Sequence, residues 1–295
     1  MRAPEKFLYY IQKAAMNKIR FLHIPKTAGT TFNDCLYRFY KGRHFIFSGD
    51  LQKDKSRYRK ISKSKQAQIS MFGGHAPRIT GIPEVDALPV ITFFRDPVER
   101  VKSYCQHVSE GKSRYLLKDY PPSKFNLDAF LNSGINELSN IHVKLILGKQ
   151  KQQLPDADKK TIIKTAITVL KNDIACFGFT EQFDKSLVLL HYKLGWGKWP
   201  VYKKLNVKNR QKLINFSDDN IIRIRELNEI DIAVYNKALN LFNDQFSSIA
   251  DTIESNLTCF QNQQRSSQLF LLPIALLRRP IKLLKRITGR LYVSY

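Results

Sequence analysis

Lys26 stands in a short turn between an apolar run and a segment with helical spacing, where a phosphate group could bind. The apolar residues 19–24 predict a buried strand, and the spacing after Thr31 predicts a helix. A strand that enters a helix through such a turn points backbone N–H groups at one spot, and Lys26 adds positive charge there. Lys26 precedes Gly29, whereas a nucleotide-triphosphate loop places Lys after its last Gly. The residues of this turn are Pro25, Lys26, Thr27, Ala28, Gly29, Thr30 and Thr31.

A second phosphate-binding pair is expected at the start of a later helix. Arg95 ends a predicted strand, Pro97 fits the first turn of a helix, and Ser103 lies on that helix. A planar guanidinium can grip two phosphate oxygens while a hydroxyl donates to a third. The spacing is therefore compatible with Arg95 and Ser103 as joint phosphate ligands.

Both segments resemble the donor-binding motifs of the sulfotransferases, which use 3'-phosphoadenosine 5'-phosphosulfate as sulfuryl donor. The resemblance implies that the turn at residues 25–31 binds the 5'-phosphosulfate of this co-substrate. It also implies that Arg95 and Ser103 hold the 3'-phosphate. The expected fold is then the P-loop-like sulfotransferase fold, in which a strand, a phosphate loop and a helix follow one another.

Later segments of the chain are similar to the carbohydrate-sulfating branch of that family. The branch is identified as heparan 2-O-sulfotransferase-like and of bacterial type, and the resemblance runs from about Lys18 to about Phe246. It implies that Arg210 lies where relatives close over the donor nucleotide. The segments that carry it are 177–187, 194–196, 205–207 and 229–238.

Sulfuryl transfer to a hydroxyl group needs a base, and His75 is the candidate. It follows a predicted strand, the two preceding glycines leave room beside it, and the carbohydrate branch has a catalytic His at the matching Gly-His position. The alternative is a loop histidine that caps a strand or helix end. His107 is a weaker pocket candidate, and a buried core position is expected for His23. Lys26 is the second catalytic candidate, because it can neutralise charge on the leaving phosphate oxygen.

The order of elements predicts an α/β fold with a parallel sheet and helices on both of its faces. Because ligands in such sheets bind beyond the carboxyl ends of the strands, Lys26, His75 and Arg95 should meet at one edge. Strands are expected at 19–24, 44–47, 69–73, 90–94 and 174–177. Helices are expected at 30–40, 97–108, 127–131, 138–147, 159–170, 186–194 and 218–242.

Composition allows this fold without requiring it. The chain has 295 residues, of which 43% are hydrophobic, so it can bury a full core. Its four Cys residues are widely spaced, which favours buried free thiols over a metal site, and no paired acidic cluster suggests magnesium. The sequence shows neither a signal peptide nor an apolar run of about 20 residues, so a cytoplasmic enzyme is expected.

The formal net charge of +24 points to anionic partners. The charge is spread along the chain and no RNA- or DNA-binding signature appears, so nucleic acid is not the expected partner. A donor with several negative charges and an anionic acceptor or membrane would be sufficient. Within the basic stretch 50–66, a solvated loop is expected, and a flap over an acidic acceptor is the alternative.

The last part of the chain has a different character, and it sets the expected domain division. Leucines alternate with Lys and Arg from about Leu269 to Leu291, which is typical of an interfacial membrane helix; a tail packed on the domain is the alternative. Residues 261–264 are interpreted as a polar linker. We therefore expect an extension at 1–17, a catalytic domain at 18–250, and a linker with a basic tail at 251–295.

The predicted function is sulfuryl transfer from 3'-phosphoadenosine 5'-phosphosulfate to a hydroxyl of a carbohydrate or glycolipid, without a metal. Peripheral membrane contact through the tail is an additional expectation. The alternatives are a basic protein that binds phosphate, membrane or nucleic acid without catalysis, and a nucleotide kinase-like P-loop protein.

Overall fold

A five-stranded parallel sheet forms the centre of the protein, in the order β2-β3-β1-β4-β5. The computed structural model describes residues 18–40, 44–148, 157–202, 213–247 and 250–268. Nearly every strand residue is buried, so both faces of the sheet are covered, as an all-parallel sheet requires. The α/β fold is therefore confirmed. The strands are β1 (Ile19–Leu22), β2 (His44–Phe47), β3 (Met71–Gly74), β4 (Val90–Phe94) and β5 (Ile174–Phe179).

The helices of the described residues follow the strands and cover the sheet. All seven predicted helices have a counterpart; most of their boundaries are shifted, and one of them, at 218–242, is divided into two helices. Short 3₁₀ turns cover Pro122–Lys124, Asn136–Leu138 and Thr180–Gln182. The helices are α1 (Gly29–Phe39), α2 (Leu51–Arg59), α3 (Lys63–Gln68), α4 (Pro83–Asp86), α5 (Pro97–Ser109), α6 (Leu127–Leu131), α7 (Ile141–Ile146), α8 (Lys159–Asn172), α9 (Phe183–Leu194), α10 (Asp218–Leu227), α11 (Glu229–Ser247) and α12 (Ala250–Gln268).

Strand β1 lies between β3 and β4, and this order brings the predicted site together. Phe21 pairs with Ile91 of β4, and Ile19 pairs with Met71 of β3, all in parallel. The carboxyl ends of three adjacent strands therefore meet at one edge of the sheet. The turn with Lys26, the segment that begins with His75, and Arg95 leave the sheet at this edge.

The single helix predicted at 218–242 is two helices, α10 and α11, separated at Asn228. The Asn228 amide donates to Leu138 O at 2.8 Å and to Ile224 O at 2.9 Å. The amide thereby ties the end of α10 to the turn at Asn136–Leu138. A tertiary contact of this kind, rather than a local helix-breaking residue, sets the boundary, and periodicity does not detect it.

The loop expected across 50–66 is wrong, because residues 51–59 and 63–68 form α2 and α3. Asp50 caps α2 by accepting from Lys53 N, and Tyr58 is buried against Phe45 and Phe72. Asp54 is also buried and accepts from Ser48. Most of the Lys and Arg side chains of this stretch are exposed. A narrow buried face is therefore sufficient to fold a stretch that looks uniformly solvated.

The polar linker expected at 261–264 is also wrong, because these residues lie within α12. The Gln264 amide accepts from Tyr202 N at 2.9 Å and donates to Tyr202 O. Phe260 is fully buried, and its ring lies 5.6 Å from that of Trp199. Helix α12 therefore packs on the sheet domain through both apolar and amide contacts.

Candidate active site

The turn at residues 25–28 is held in an unusual backbone conformation. Lys26 and Ala28 have φ values of 70° and 58°, in the left-handed region that non-glycine residues rarely adopt. The buried Thr27 hydroxyl donates to Ile24 O at 2.9 Å, which closes the turn from inside. Such conformations persist only where surrounding structure enforces them, and they cluster at functional sites.

Helix α1 begins at this turn with an N-terminus suited to an anion. Ala28 occupies the N-cap position and has no side-chain oxygen that could accept from the first-turn N–H groups. The first turn, from Gly29, has no acidic side chain. By contrast, α5 is capped by Asp96, which accepts from Glu99 N at 2.9 Å. The start of α1 can therefore hold the 5'-phosphosulfate end of the expected donor through backbone N–H groups.

Gly29 is required because the His23 ring lies across the start of α1. A Cβ at position 29 would stand 1.8 Å from His23 Nε2. His23 is half-buried, and its ring stacks between those of Phe21, at 5.4 Å, and His75, at 4.7 Å. The His23 ring therefore lies between the strand core at Phe21 and the candidate base His75, beside the turn at residues 25–28.

Arg95 lies against the turn, as the topology predicts. Its Nη1 donates to Lys26 O at 3.2 Å, and Thr180 Oγ1 donates to Phe94 O at 3.0 Å beside it. Ser103, two turns along α5, is only 8% exposed. The structure therefore places Arg95 at the phosphate turn and Ser103 on the helix that follows it.

His75 lies directly after β3, with its side chain exposed and one ring face against His23. Its backbone N–H donates to Phe47 O at 3.1 Å. Gly74 has a φ of 99°, and a Cβ there would come within 2.3 Å of Phe47 O, so this position needs glycine. Desolvation lowers the pKa of His75, and the nearby Glu137 carboxylate opposes that shift. The imidazole is therefore neutral at neutral pH, as a proton acceptor must be.

Two further histidines are kept neutral around Lys26. Burial, together with the charges of His75 and Lys26, lowers the pKa of His23 to about 3. Burial, with Lys26 and Lys112 contributing, lowers the pKa of His107 to about 4. The positive charge of this cleft therefore resides on Lys26 and Arg95 rather than on imidazolium groups.

The segment that follows His75 is fixed by Arg20 of β1. The buried Arg20 guanidinium donates to Pro77 O, to Arg78 O and to Asp86 Oδ1, the last at 2.9 Å. Asp86 also accepts from the backbone and hydroxyl of Thr80. Arg20 therefore positions the chain on the carboxyl side of His75.

Arg78 joins that segment to α7 on the other side of the cleft. Its backbone N–H donates to Leu145 O at 3.0 Å, and its Nε donates to Ile146 O at 2.7 Å. Sequence reasoning missed both Arg20 and Arg78. An Arg within an apolar strand was the available signal for Arg20, because Arg is rarely fully buried without partners for its donors.

A buried charged cluster lies behind the cleft and serves the fold. Arg100 of α5 and Asp231 of α11 are both fully buried, and the guanidinium nitrogens of Arg100 have no hydrogen-bond partner among the described residues. Asp231 accepts from the backbone N–H groups of His142 and Val143, both at 2.9 Å. Burial raises the pKa of Asp231 to about 6. His142 is also fully buried.

Some sequence predictions concern residues that the structure does not describe, and others concern metal binding and membrane spanning. Arg210, the extension at 1–17 and the tail at 269–295 lie outside the described residues. Within the described ranges, no group of three or more His, Cys, Asp or Glu side chains is placed to hold a metal ion. Among the helices of those ranges, none has the length and apolar character needed to cross a membrane.

The parallel sheet, the N-terminus of α1 and the adjacent cations define an α/β protein with a sheet edge that is suited to hold an anion. The chain is similar to heparan-sulfate 6-O-sulfotransferase 1-B of Danio rerio, with 25% identity over 293 residues. The match covers 81% of this chain and 70% of the relative. No protein-family model matches the chain.

Proposed function

We propose that this protein is a carbohydrate sulfotransferase that uses 3'-phosphoadenosine 5'-phosphosulfate as donor. The observation that carries the proposal is the convergence of the Lys26 turn, Arg95 and His75 at one sheet edge, with Arg95 Nη1 at 3.2 Å from Lys26 O and the His75 ring at 4.7 Å from His23. The similarity to a heparan-sulfate 6-O-sulfotransferase supports the same chemistry.

In the proposed reaction, an acceptor hydroxyl attacks the sulfur in line with the bond to the donor's 5'-phosphate. A new S–O bond forms to the acceptor as the old S–O bond breaks, and the electron pair of the broken bond stays on the phosphate oxygen. His75 takes the hydroxyl proton, and Lys26 neutralises the charge on the leaving oxygen. Arg95 and Ser103 hold the 3'-phosphate, and Arg210 is proposed to contact the nucleotide.

The residues present fit the donor without a protein-bound metal in this scheme. The N–H groups at the start of α1 face the turn, and two cations, Lys26 and Arg95, lie beside them. A sulfuryl group carries less charge than a phosphoryl group, so backbone donors and cationic side chains are sufficient to stabilise its transfer.

The position of the sulfated hydroxyl is the finer part of the proposal. The sequence resembles the 2-O branch, whereas the similar Danio rerio protein is a 6-O-sulfotransferase. Two-dimensional NMR of the sulfated product distinguishes 2-O from 6-O transfer.

We propose a cytoplasmic enzyme that contacts the membrane peripherally through its basic tail.

The deciding experiment measures transfer and donor binding on one preparation. The protein is incubated with the donor and an oligosaccharide, and sulfated product and adenosine 3',5'-bisphosphate are quantified by mass spectrometry. Thermal stabilisation by adenosine 3',5'-bisphosphate but not by magnesium-ATP is expected. Stabilisation by magnesium-ATP alone would favour a kinase-like protein, and nucleotide binding without any transfer would favour a non-catalytic one.

A further inference from the structure

A pair of tyrosines on the wall of the cleft holds an aromatic ring in solvent. The hydroxyl groups of Tyr104 and Tyr115 are hydrogen-bonded, yet Tyr104 is only 4% exposed while Tyr115 is 62% exposed. Tyr104 belongs to α5 and is fixed in a core cluster, so it anchors the Tyr115 hydroxyl. An exposed ring that is fixed at its far end is available for stacking at little cost in conformational freedom.

The Glu137 carboxylate lies beside this pair. Desolvation raises the pKa of the Tyr104 and Tyr115 hydroxyl groups, and the negative charge of Glu137 adds to both shifts. Because a carboxylate only accepts hydrogen bonds, the Tyr115 hydroxyl points its proton towards Glu137, and its oxygen accepts from Tyr104. The half-buried Glu137 and the ring of Tyr115 therefore form one unit on the wall of the cleft.

This unit adjoins His75 through a continuous chain of contacts. Arg78, three residues after His75, bonds the last turn of α7 at Leu145 O and Ile146 O. From α7, Lys144 Nζ donates to Asn136 Oδ1 at 2.9 Å, next to Glu137. The interaction of Glu137 with His75 agrees with this path.

Glu137 is the acidic side chain of this unit, in a molecule with a large excess of positive charge. Lys144 is only 8% exposed, its ammonium group is bonded to Asn136, and both Lys144 and the buried Arg100 interact with Glu137. The chain as a whole carries a formal net charge of +24. The general surface therefore attracts anions, whereas an anionic group in direct contact with the Glu137 carboxylate is repelled by it.

We propose that Tyr115 and Glu137 form the subsite for the acceptor sugar unit, and that this unit is uncharged where it meets Glu137. The proposal rests on the sulfotransferase function above. The Tyr115 ring stacks on the apolar face of the sugar, and the Glu137 carboxylate accepts from its hydroxyl groups. A uronate or an already sulfated unit in this subsite is disfavoured by like charge.

The test compares two acceptors of equal length, a neutral chitin-type tetrasaccharide and a uronic-acid tetrasaccharide. Glu137→Gln should lower the ratio of kcat/KM for the neutral acceptor over the acidic one by about tenfold, because a short-range repulsion is removed. Tyr115→Ala should raise KM for the neutral acceptor by about tenfold, and Tyr115→Phe by less, because the ring is kept. Leu117→Ala, in the same segment, and Glu226→Gln, on α10, are the matched controls.

Donor binding separates this proposal from the proposed function. Calorimetry with adenosine 3',5'-bisphosphate should give the same Kd for all five variants as for the unchanged protein. If the unchanged protein sulfates neither acceptor, the sulfotransferase function is not supported. If it sulfates a sugar but Glu137→Gln keeps its acceptor ratio and Tyr115→Ala keeps its KM, the subsite is wrong. Thermal unfolding confirms that each variant is folded.

Discussion

A single methyl group at position 29 is expected to disable catalysis without unfolding the protein. In Gly29→Ala, the new Cβ would stand 1.8 Å from His23 Nε2. Ordinary van der Waals contact begins near 3.4 Å, so the His23 ring must retreat by roughly 1.5 Å. This ring stacks on His75 at a centroid distance of 4.7 Å, so the displacement reaches the proposed base.

The expected loss is about a hundredfold in kcat, the effect that a misplacement of about 1 Å has on a catalytic group. Stability should change little. Position 29 opens α1 with an ordinary helical φ, and alanine is favoured over glycine in helices by up to about 1 kcal/mol. That gain offsets part of the strain of the displaced ring. A severe loss of turnover with an almost unchanged Tm is therefore the predicted signature.

The assay is a double-mutant cycle with steady-state transfer and thermal unfolding. Gly29→Ala combined with His23→Ala should transfer at the rate of His23→Ala alone, because no ring remains to be displaced. Gly197→Ala is the matched control, since a Cβ at Gly197 meets nothing within 4 Å. Normal turnover in Gly29→Ala, or additive losses in the double variant, would refute the reasoning.

Four other substitutions or changes test the proposed roles. Lys26→Ala should lower kcat by about a hundredfold or more, because the leaving oxygen loses its neutralising charge; near-normal turnover rules this role out. Arg95→Ala should weaken adenosine 3',5'-bisphosphate far more than adenosine 5'-monophosphate in calorimetry, and equal losses would contradict a 3'-phosphate contact. The transfer rate should fall as the pH drops through the pKa of His75, which is lowered from 6.5 in the donor-free protein. The His75→Ala variant should lose transfer but keep its affinity for the nucleotide. If nucleotide affinity collapses as well, His75 belongs to the nucleotide site. A chain ending at Gln268 should keep transfer to a soluble acceptor and lose binding to anionic liposomes, whereas insoluble protein would favour a packed tail.

The elements that carry the donor site were predictable because their signals are local. Pro97 after a capping Asp96 starts a helix in any context, and an apolar run before a turn forms a strand. The strand order did not have to be known to place the site, because the carboxyl ends of all parallel strands lie at the same edge of the sheet. Lys26, His75 and Arg95 could therefore be placed together from the sequence.

The parts that sequence reasoning missed depend on contacts between distant segments. Asn228 ends α10 through Leu138 O, 90 positions earlier in the chain. Glu137 has no motif, and it acquires a role only because Tyr115 and His75 lie beside it in the fold. The close approach of the His23 ring to Gly29 was missed for the same reason, because nothing in the sequence around these residues indicates it.

Around Lys26, the positive charge and the proposed proton acceptor lie on different side chains. In the donor-free protein the pKa of His23 is about 3, that of His107 is about 4, and that of His75 is also lowered. The cations that attract the donor are therefore Lys26 and Arg95, and the imidazoles stay neutral. A bound donor brings several negative charges, which favour the protonated form of a nearby imidazole. We therefore expect the pKa of His75 to rise when the proposed donor binds, which would make His75 a stronger base for the proposed transfer.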